Sequence, residues 1–335
     1  EQYQIANKNF ENFVKNNYSA LIDSEDSEIT FTKDIINRFA FPHLRNDDKI
    51  VLIILDCLRL DQWFIIEDEL KKTCSIDTSY ALSILPTTSL YSRNAIFSGL
   101  TPLKLSQDYS SQWKEMNNSE LNMNAYEEDL LKENLFRNKL DHKSFVYSKI
   151  NNYKDGMSLL SRIGEYGDKD LIAIVINFVD ILGHSRSESN IIKEIVPTEK
   201  SFRKTILNWF NDSWLSQLVK KIDDRNIIFT TDHGSVKVSS PVSVNADRQT
   251  SSGLRYKNGK SIAIDNKDGL FVKDPEEFGL PKTLKGENFI FAYSDKYLLY
   301  PNDYNYYARK FEGSFQHGGI SLEEMIVPIG IVNRL

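Results

Sequence analysis

Six carboxylate and imidazole side chains are candidates for chemistry, because each follows or flanks a short apolar segment or a glycine pair. They are Asp56, Asp180, His184, Asp232, His233 and His317. Such groups suit zinc or manganese, and the sequence has no thiolate cluster that would compete for these metals. The six divide into two sets of three, which is the inventory of a two-metal centre with open positions for reacting oxygens.

The charge of these groups also favours bound cations. Without metal, three aspartates brought together would repel one another, and at least one would tend to stay protonated. Two divalent ions would turn a charge of about −3 into about +1, so that the centre could bind an anionic phosphoryl group and stabilise a nearby alkoxide. We therefore expect activity to require metal.

The segments that must position these groups have the pattern of a buried parallel sheet. The segment VLIILDCLRLDQ (51–62) has five apolar residues, then Asp56, then a helical periodicity that extends over 58–72. The segments LIAIVINFVD (171–180) and NIIFTTDHGS (226–235) repeat the transition from strand to carboxylate. In open parallel sheets, reactive groups gather beyond the carboxyl ends of the strands. We predict that the aspartates meet at that edge.

Each of these residues also has a plain structural explanation when it is taken alone. An aspartate at the end of a strand often caps the next helix. A histidine in a glycine-flanked turn, such as His317, is usually structural. The convergence of the segments favours a metal site, because three of the five histidines of the chain lie in them.

Three hydroxyl residues, Thr87, Thr88 and Ser89, precede a predicted helix over Leu90–Phe97 that Gly99 ends. On residue type alone, N-capping of this helix is the simpler explanation. The same position is also an anion site, where free N–H groups and the helix dipole would help a hydroxyl to ionise. The residue types leave both explanations open.

The rest of the chain divides into three predicted parts. Residues 1–46 are predicted to form a helical lead-in or linker, and residues 47–335 the main α/β domain. Within that domain, a strand is expected near 75–81, a charged helix near 125–140 and a covering helix that includes Ile206 and Leu218. The turn-rich and aromatic segment over about 236–310 is predicted to form a smaller cap insertion.

The composition of the 335 residues is that of a globular protein, with 41% hydrophobic and 26% charged residues. The net charge of −6 argues against a broad basic face for duplex nucleic acid, although a locally positive cleft is compatible with it. Two cysteines, Cys57 and Cys74, give no disulfide framework. No apolar segment has transmembrane length, so we expect no membrane insertion and a cytoplasmic location.

Five motifs in order resemble the PglZ domain of the alkaline phosphatase superfamily. They are LDCLRLDQ, ILPTTSLYSRNAIFSGLTP, VDILGH, TTDHGS and QHGGIS, and the resemblance extends from about Lys49 to the C-terminus. Within the family, PorX-type response regulators, which are linked to type IX secretion, are the most similar. The resemblance implies an α/β fold with a mostly parallel sheet flanked by helices.

The same resemblance implies two zinc ions, with manganese as the alternative, and a hydroxyl nucleophile. One metal would be held by Asp56, Asp232 and His233, and the other by the three remaining ligands. The register of the family motif places the nucleophile at Ser89, where the family more often has threonine. Thr88 remains a rival for this role.

The function implied by this resemblance is a zinc-dependent phosphodiesterase for nucleotides or short oligonucleotides, including cyclic ones, as effector domain of a two-component response regulator. Lys237, Arg255 and Lys260 in the cap are candidate substrate contacts or solvated surface charges. A homodimer and a secretion-system or transcription partner are expected. Two alternatives remain open: a partner-docking signalling module with a structural metal site, and a metal-dependent phosphomonoesterase.

Overall fold

The computed structural model describes residues 1–24, 27–118, 122–245 and 253–334. Its strands are β1 (Ile50–Leu55), β2 (Cys74–Leu82), β3 (Phe145–Ile150), β4 (Leu171–Ile176), β5 (Asn226–Thr230), β6 (Val236–Lys237), β7 (Ser240–Ser243), β8 (Tyr256–Gly259), β9 (Gly269–Val272), β10 (Asn288–Ala292), β11 (Lys296–Leu299), β12 (Phe315–Gln316) and β13 (Ile326–Arg334). The central sheet has the order β2-β13-β5-β1-β4-β3. Strands β3, β4, β1 and β5 are parallel, and β13 is antiparallel to both of its neighbours. The predicted α/β class with a mostly parallel sheet is confirmed.

Helices cover both faces of this sheet. They are α1 (Gln2–Ile22), α2 (Phe41–Arg45), α3 (Leu60–Leu70), α4 (Ser92–Ser98), α5 (Pro102–Asp108), α6 (Ser110–Asn118), α7 (Glu127–Arg137), α8 (Tyr153–Arg162), α9 (Phe178–Glu188), α10 (Asn190–Ile195), α11 (Glu199–Asp212), α12 (Trp214–Lys221), α13 (Tyr304–Phe311) and α14 (Leu322–Met325). None of the helices in the described part of the chain is both long and apolar enough to cross a membrane.

The central strand β1 explains why two layers of helices are needed. All six of its residues are buried, and side chains alternate between the two faces of a strand. Leu52 and Ile54 belong to one hydrophobic core, whereas Val51 and Ile53 belong to a second core on the other face. A strand that is apolar at every position is therefore covered on both sides.

Two predicted elements differ in the structure. The covering helix is two helices, because the chain breaks at Ser213, whose side chain accepts a hydrogen bond from the Leu215 N–H and starts α12. The predicted lead-in packs into the main core, where Val14, Tyr18 and Ile22 of α1 are buried. The domain boundary at residue 46 stays a prediction.

The region of the predicted cap contains small sheets. Strands β8, β10 and β9 form an antiparallel sheet, and β7 pairs with β11. Strand β6 pairs with β12 just before His317, so this region is hydrogen-bonded to the segment that carries one of the six candidate ligands. Part of the predicted cap, residues 246–252, lies outside the described residues.

Candidate metal centre and nucleophile

The ends of parallel strands bring the candidate ligands to one edge of the sheet, as predicted. Asp56 directly follows β1, and Asp232 lies two residues beyond the end of β5. Asp180 is in the first turn of α9, the helix that follows β4. The segment between β2 and α4 contains Ser89 and reaches the same edge.

The six residues form two groups of three. Asp56, Asp232 and His233, which we call the buried trio, each offer a ligand atom within 4.8 Å of the others. Nε2 of His233 lies 3.8 Å from Oδ1 of Asp56 and 3.6 Å from Oδ2 of Asp232. All three residues are buried, so the trio is a preformed pocket of donor atoms away from bulk water.

Two unusual backbone positions shape the buried trio. Cys57, directly after Asp56, has a φ of 64°, a left-handed conformation that residues other than glycine rarely adopt. Its N–H donates to Oδ1 of Asp232 at 3.2 Å, which ties the two strand ends together. At Gly234, an added Cβ would lie 2.0 Å from the carbonyl oxygen of Glu323, so only glycine fits this close approach.

One atom of the buried trio has no hydrogen-bond partner among the described residues, and this observation tests whether the site fits a cation. Oδ1 of Asp232 accepts hydrogen bonds from the backbone N–H groups of Cys57 and His233. Oδ2 of Asp232 is buried and has no hydrogen-bond partner among the described residues. A buried carboxylate oxygen without a partner is costly, and a divalent cation would satisfy it. The donor set therefore fits a metal ion.

Asp180, His184 and His317 form the second group, which we call the open trio, and their ligand atoms also lie within 4.8 Å of one another. Asp180 and His184 are four residues apart on α9, with Nε2 of His184 3.3 Å from Oδ1 of Asp180. Nε2 of His317 lies 3.4 Å from Nε2 of His184. The rings of His317 and His233 stack with centroids 4.3 Å apart, so the two trios adjoin.

The histidine rings are oriented in the way that metal-ligating histidines are. Nδ1 of His233 lies 3.0 Å from the carbonyl oxygen of Gly234, and Nδ1 of His317 lies 3.1 Å from that of Thr87. A carbonyl accepts only, so each Nδ1 carries the proton and each Nε2 presents a lone pair to its trio. Such support of the second ring nitrogen fixes the tautomer of a ligating histidine.

The pKa directions agree with a site that is ready for cations. Burial lowers the pKa of His233 and lowers that of His317 to about 4, so both rings are neutral near pH 7. Burial would raise the pKa of Asp180, but the hydrogen bond from His184 and the positive charge that His317 carries at low pH hold it below its usual range. Burial raises the pKa of Asp56 to about 7 against the effect of Arg93, with a further rise from Asp232.

The structure separates the two hydroxyls that compete for the role of nucleophile. Oγ of Ser89 donates to Oδ1 of Asp56 at 3.1 Å and lies 3.3 Å from Nε2 of His233. Oγ1 of Thr88 is buried and has no hydrogen-bond partner among the described residues. The hydroxyl of Ser89 therefore adjoins two donor atoms of the buried trio, which favours Ser89.

N-capping, the simpler explanation of these hydroxyls, is wrong. Helix α4 begins at Ser92 rather than at Leu90, and no side chain caps it. The backbone carbonyl of Thr88, not a hydroxyl, accepts the N–H of Ser92 at 2.8 Å. The Thr87 hydroxyl accepts a hydrogen bond from the Gly318 N–H at 2.8 Å and donates one to the Gly319 carbonyl oxygen at 3.2 Å.

Arg93 is not among the residues predicted for the site, and the structure places it there. Its Nη1 lies 2.5 Å from Oδ2 of Asp56 and 3.7 Å from Oδ2 of Asp232, and its Nε lies 2.5 Å from Glu127. Arg93 is four residues after Ser89, and its N–H donates to the Ser89 carbonyl oxygen at 3.2 Å, so this turn before α4 puts both side chains on the face toward the trio. The spacing of four residues between Ser89 and Arg93 is the sequence feature that could have indicated this position of Arg93. Arg59, by contrast, braces its own turn through ion pairs with Asp61 and Glu199.

The three predicted substrate contacts are not brought to the trios. Arg255 is fully buried and forms an ion pair with Glu324 at 2.6 Å, so this prediction is wrong, because the guanidinium is already satisfied. Lys237 lines a separate cavity of about 590 Å³ between α1 and the cap, and Lys260 is exposed. Within the described ranges, no hydrogen bond or ion pair joins these side chains to the six ligands.

Comparison with known proteins agrees with the fold and the family. The mixed, mostly parallel sheet of this chain and its flanking helices form an alkaline-phosphatase-like α/β fold. Residues 35–331 match the BREX system PglZ alkaline phosphatase-like domain, and the chain belongs to this family. The predicted PglZ resemblance is confirmed, and a particular relationship to PorX-type regulators stays a prediction.

One curated relative and two solved structures illustrate these similarities. The alkaline phosphatase-like protein PglZ of Bacillus cereus is 22% identical over 314 residues, which cover 91% of this chain and 32% of that protein. This chain therefore spans about a third of the length of that relative. Murine ectonucleotide pyrophosphatase/phosphodiesterase 5 in complex with AMP is 12% identical with a TM-score of 0.55, over 85% of this chain and 88% of that chain. Phosphonoacetate hydrolase from Sinorhizobium meliloti is 11% identical with a TM-score of 0.51, over 86% and 90%.

Proposed function

We propose that this chain is a metal-dependent phosphodiesterase that uses two zinc ions, or manganese in their place, and Ser89 as nucleophile. Family membership supports the broader class of metal-dependent phosphoric ester hydrolases. The observation that carries the proposal is the position of the Ser89 hydroxyl, 3.1 Å and 3.3 Å from donor atoms of the buried trio that adjoins the open trio.

The chain's own residues account for the nucleophile. Asp56 accepts the hydrogen bond of the Ser89 hydroxyl, which orients the oxygen toward the trio. The amide of Asn124 donates to the Ser89 carbonyl oxygen at 3.0 Å and fixes the backbone of the turn. In the first step the Ser89 oxygen forms a bond to phosphorus, the bond to the leaving oxygen breaks, and the serine proton ends on the leaving group.

Water completes the cycle by breaking the bond between Ser89 and phosphorus, which releases the product and restores the hydroxyl. The buried trio would hold one divalent ion and the open trio the other. When bound, these ions would supply Lewis acidity that favours the serine alkoxide and neutralises charge on the leaving oxygen. The neutral imidazoles of His233 and His317 present their lone pairs without a competing proton near pH 7.

Charge supports a phosphodiester as the substrate class. With two divalent ions the three aspartates give a centre of about +1, which matches the single charge of a diester. The buried cation next to the site, Arg93, already pairs with Asp56 and Glu127 at 2.5 Å each, so it leaves no free positive charge for a dianionic monoester. A similar fold holds AMP in the murine phosphodiesterase, and this likeness supports nucleotides or short oligonucleotides, including cyclic ones.

The experiment that tests this function is turnover of two nitrophenyl esters by the metal-loaded protein. We expect hydrolysis of bis(4-nitrophenyl) phosphate to exceed that of 4-nitrophenyl phosphate in kcat/KM. Faster turnover of the monoester would favour the phosphomonoesterase. Bound metal with no turnover of either ester would favour the docking module. The roles as response-regulator effector, homodimer and docking partner in secretion or transcription remain predictions.

The raised pKa of Asp56 predicts how metal binding depends on pH. Because burial raises this pKa to about 7, the metal-free protein holds a proton on Asp56 at pH 6 that a cation must displace. We expect release of about one proton per buried-trio metal at pH 6 and almost none at pH 8.5. Apparent affinity should therefore rise with pH up to about 7 and then level.

Calorimetric titration with Mn²⁺ in two buffers of different ionisation enthalpy measures this proton release. The Asp56→Asn variant is the control and should show none at pH 6. Equal release by wild type at pH 6 and pH 8.5 would contradict the role given to Asp56.

A further inference from the structure

Arg93 is a buried cation placed among three carboxylates. It is 3% exposed. Its Nη1 lies 2.5 Å from Oδ2 of Asp56 and 3.7 Å from Oδ2 of Asp232, the atom without a hydrogen-bond partner among the described residues. Its Nε donates to Oε1 of Glu127 at 2.5 Å. The guanidinium therefore borders the space that a cation of the buried trio would fill.

A closed series of polar contacts holds Arg93 in this position. The second oxygen of Glu127 accepts the hydroxyl of Tyr147 and lies 3.5 Å from Nζ of Lys149. Lys149 donates to the carbonyl oxygen of Asn124 at 3.4 Å, and the Asn124 amide donates to the carbonyl of Ser89. The Ser89 hydroxyl donates to Asp56, which closes the series. The guanidinium is therefore held by Asp56 at Nη1 and by Glu127 at Nε.

This arrangement gives the two oxygens of Asp56 different tasks. Oδ2 is occupied by Arg93, whereas Oδ1 faces the hydroxyl of Ser89 and lies 3.8 Å from Nε2 of His233. Only Oδ1 of Asp56 is thus directed at the other donor atoms. We propose that Arg93 is a resident counter-cation of the buried trio, a positioning residue that orients Asp56 and competes with the divalent ion for its charge.

The proposal has a thermodynamic consequence that a purely structural arginine would not have. A divalent ion in the buried trio and the guanidinium of Arg93 both interact with the carboxylate of Asp56. Bound metal therefore weakens the ion pair of Arg93 with Asp56, and that ion pair lowers metal affinity by the same factor. In the metal-free protein Arg93 offsets the repulsion between Asp56 and Asp232. Among the described residues, Asp180 of the open trio pairs with His184 and His317.

The test removes both charges of the Arg93–Glu127 pair at once, in the double variant Arg93→Gln with Glu127→Gln, so that Glu127 is not left as a buried carboxylate without its arginine. A His184→Ala background weakens the open trio and isolates the buried one, and this side chain is 50% exposed, so its loss is tolerated by the fold. We expect the double variant to bind Mn²⁺, titrated alone by calorimetry, about tenfold more tightly than the His184→Ala parent or better.

Two further variants separate positioning from folding. Arg93→Lys keeps the charge and should bind Mn²⁺ with nearly the parent affinity. Arg225→Gln is a matched control, because Arg225 is a largely buried arginine that pairs with Asp224 and contacts Lys169 and Gly167, away from both trios. It should lower the melting temperature equally with and without metal and leave the affinity unchanged.

The inference rests on the metal centre of the proposed function, and the outcomes keep the two apart. Failure of the wild-type protein to bind any divalent ion would refute the proposed function. Metal binding by the parent with an unchanged or weaker affinity in the double variant would overturn the role of Arg93 alone. If the double variant does not fold without metal, the melting temperature of Arg93→Gln decides: we expect a larger rise on saturation with Mn²⁺ than in the parent, and an equal rise overturns the proposal.

Discussion

Replacing Ser89 by alanine is expected to reduce hydrolysis of bis(4-nitrophenyl) phosphate by at least about a thousandfold, because loss of a nucleophile removes the covalent route. The expected loss is in kcat, since the serine oxygen acts in the reacting complex. Metal content should stay at the wild-type level, because the ligand atoms of both trios are intact in this variant. Steady-state kinetics with metal analysis of the same sample measures both quantities.

The matched control is Thr88→Ala, which removes the neighbouring hydroxyl. Oγ1 of Thr88 is buried and has no hydrogen-bond partner in the described residues, so its loss should change kcat by no more than a few fold. The reverse pattern, with Thr88→Ala inactive and Ser89→Ala active, would move the nucleophile to Thr88. Full activity in both variants would mean that neither hydroxyl attacks phosphorus.

The second large effect is expected for Asp232→Asn. This change removes the charge of the carboxylate whose Oδ2 lies 3.6 Å from Nε2 of His233, while the hydrogen bonds to its Oδ1 can be kept. We expect metal affinity of the buried trio to fall by at least about a hundredfold, because even groups that only support ligands cost 10- to 100-fold. Hydrolysis of the diester should become undetectable.

The melting temperature of Asp232→Asn, measured with and without metal, gives a second test of this assignment. In the metal-free protein, Asp232 is a fully buried carboxylate beside Asp56, and neutralising it relieves repulsion. The metal-free melting temperature should therefore stay or rise, whereas the rise on adding Zn²⁺ should shrink. Asp61→Asn, at a carboxylate that pairs with Arg59 and Arg203, should leave the rise intact. Wild-type metal affinity in Asp232→Asn would remove this residue from the centre.

The sequence carried the information for the sheet edge and the ligands, because both depend on short-range patterns. An apolar strand that stops at a carboxylate indicates a strand end, and parallel strands share that edge. The spacing of Asp180 and His184 corresponds to one helical turn, which α9 has. These are local rules, so residues far apart in sequence could be assigned to one place.

What could not be predicted depends on partners that are distant in sequence. Arg93 meets Glu127, and Arg255 meets Glu324, only after the chain has folded. A lysine or arginine in a polar segment gives no local sign of whether it pairs internally or faces solvent, and for this reason Arg255 was assigned to substrate. The break at Ser213 was hidden because apolar periodicity continues through it from α11 into α12.

The most direct measurement is anomalous X-ray scattering at the zinc edge from crystals of the zinc-loaded protein. We expect two peaks about 4 Å apart, one among the donor atoms of Asp56, Asp232 and His233 and the other among those of the open trio. Saturated crystals with no peak at either trio, or with zinc bound only elsewhere on the chain, would contradict a catalytic metal centre at this edge of the sheet.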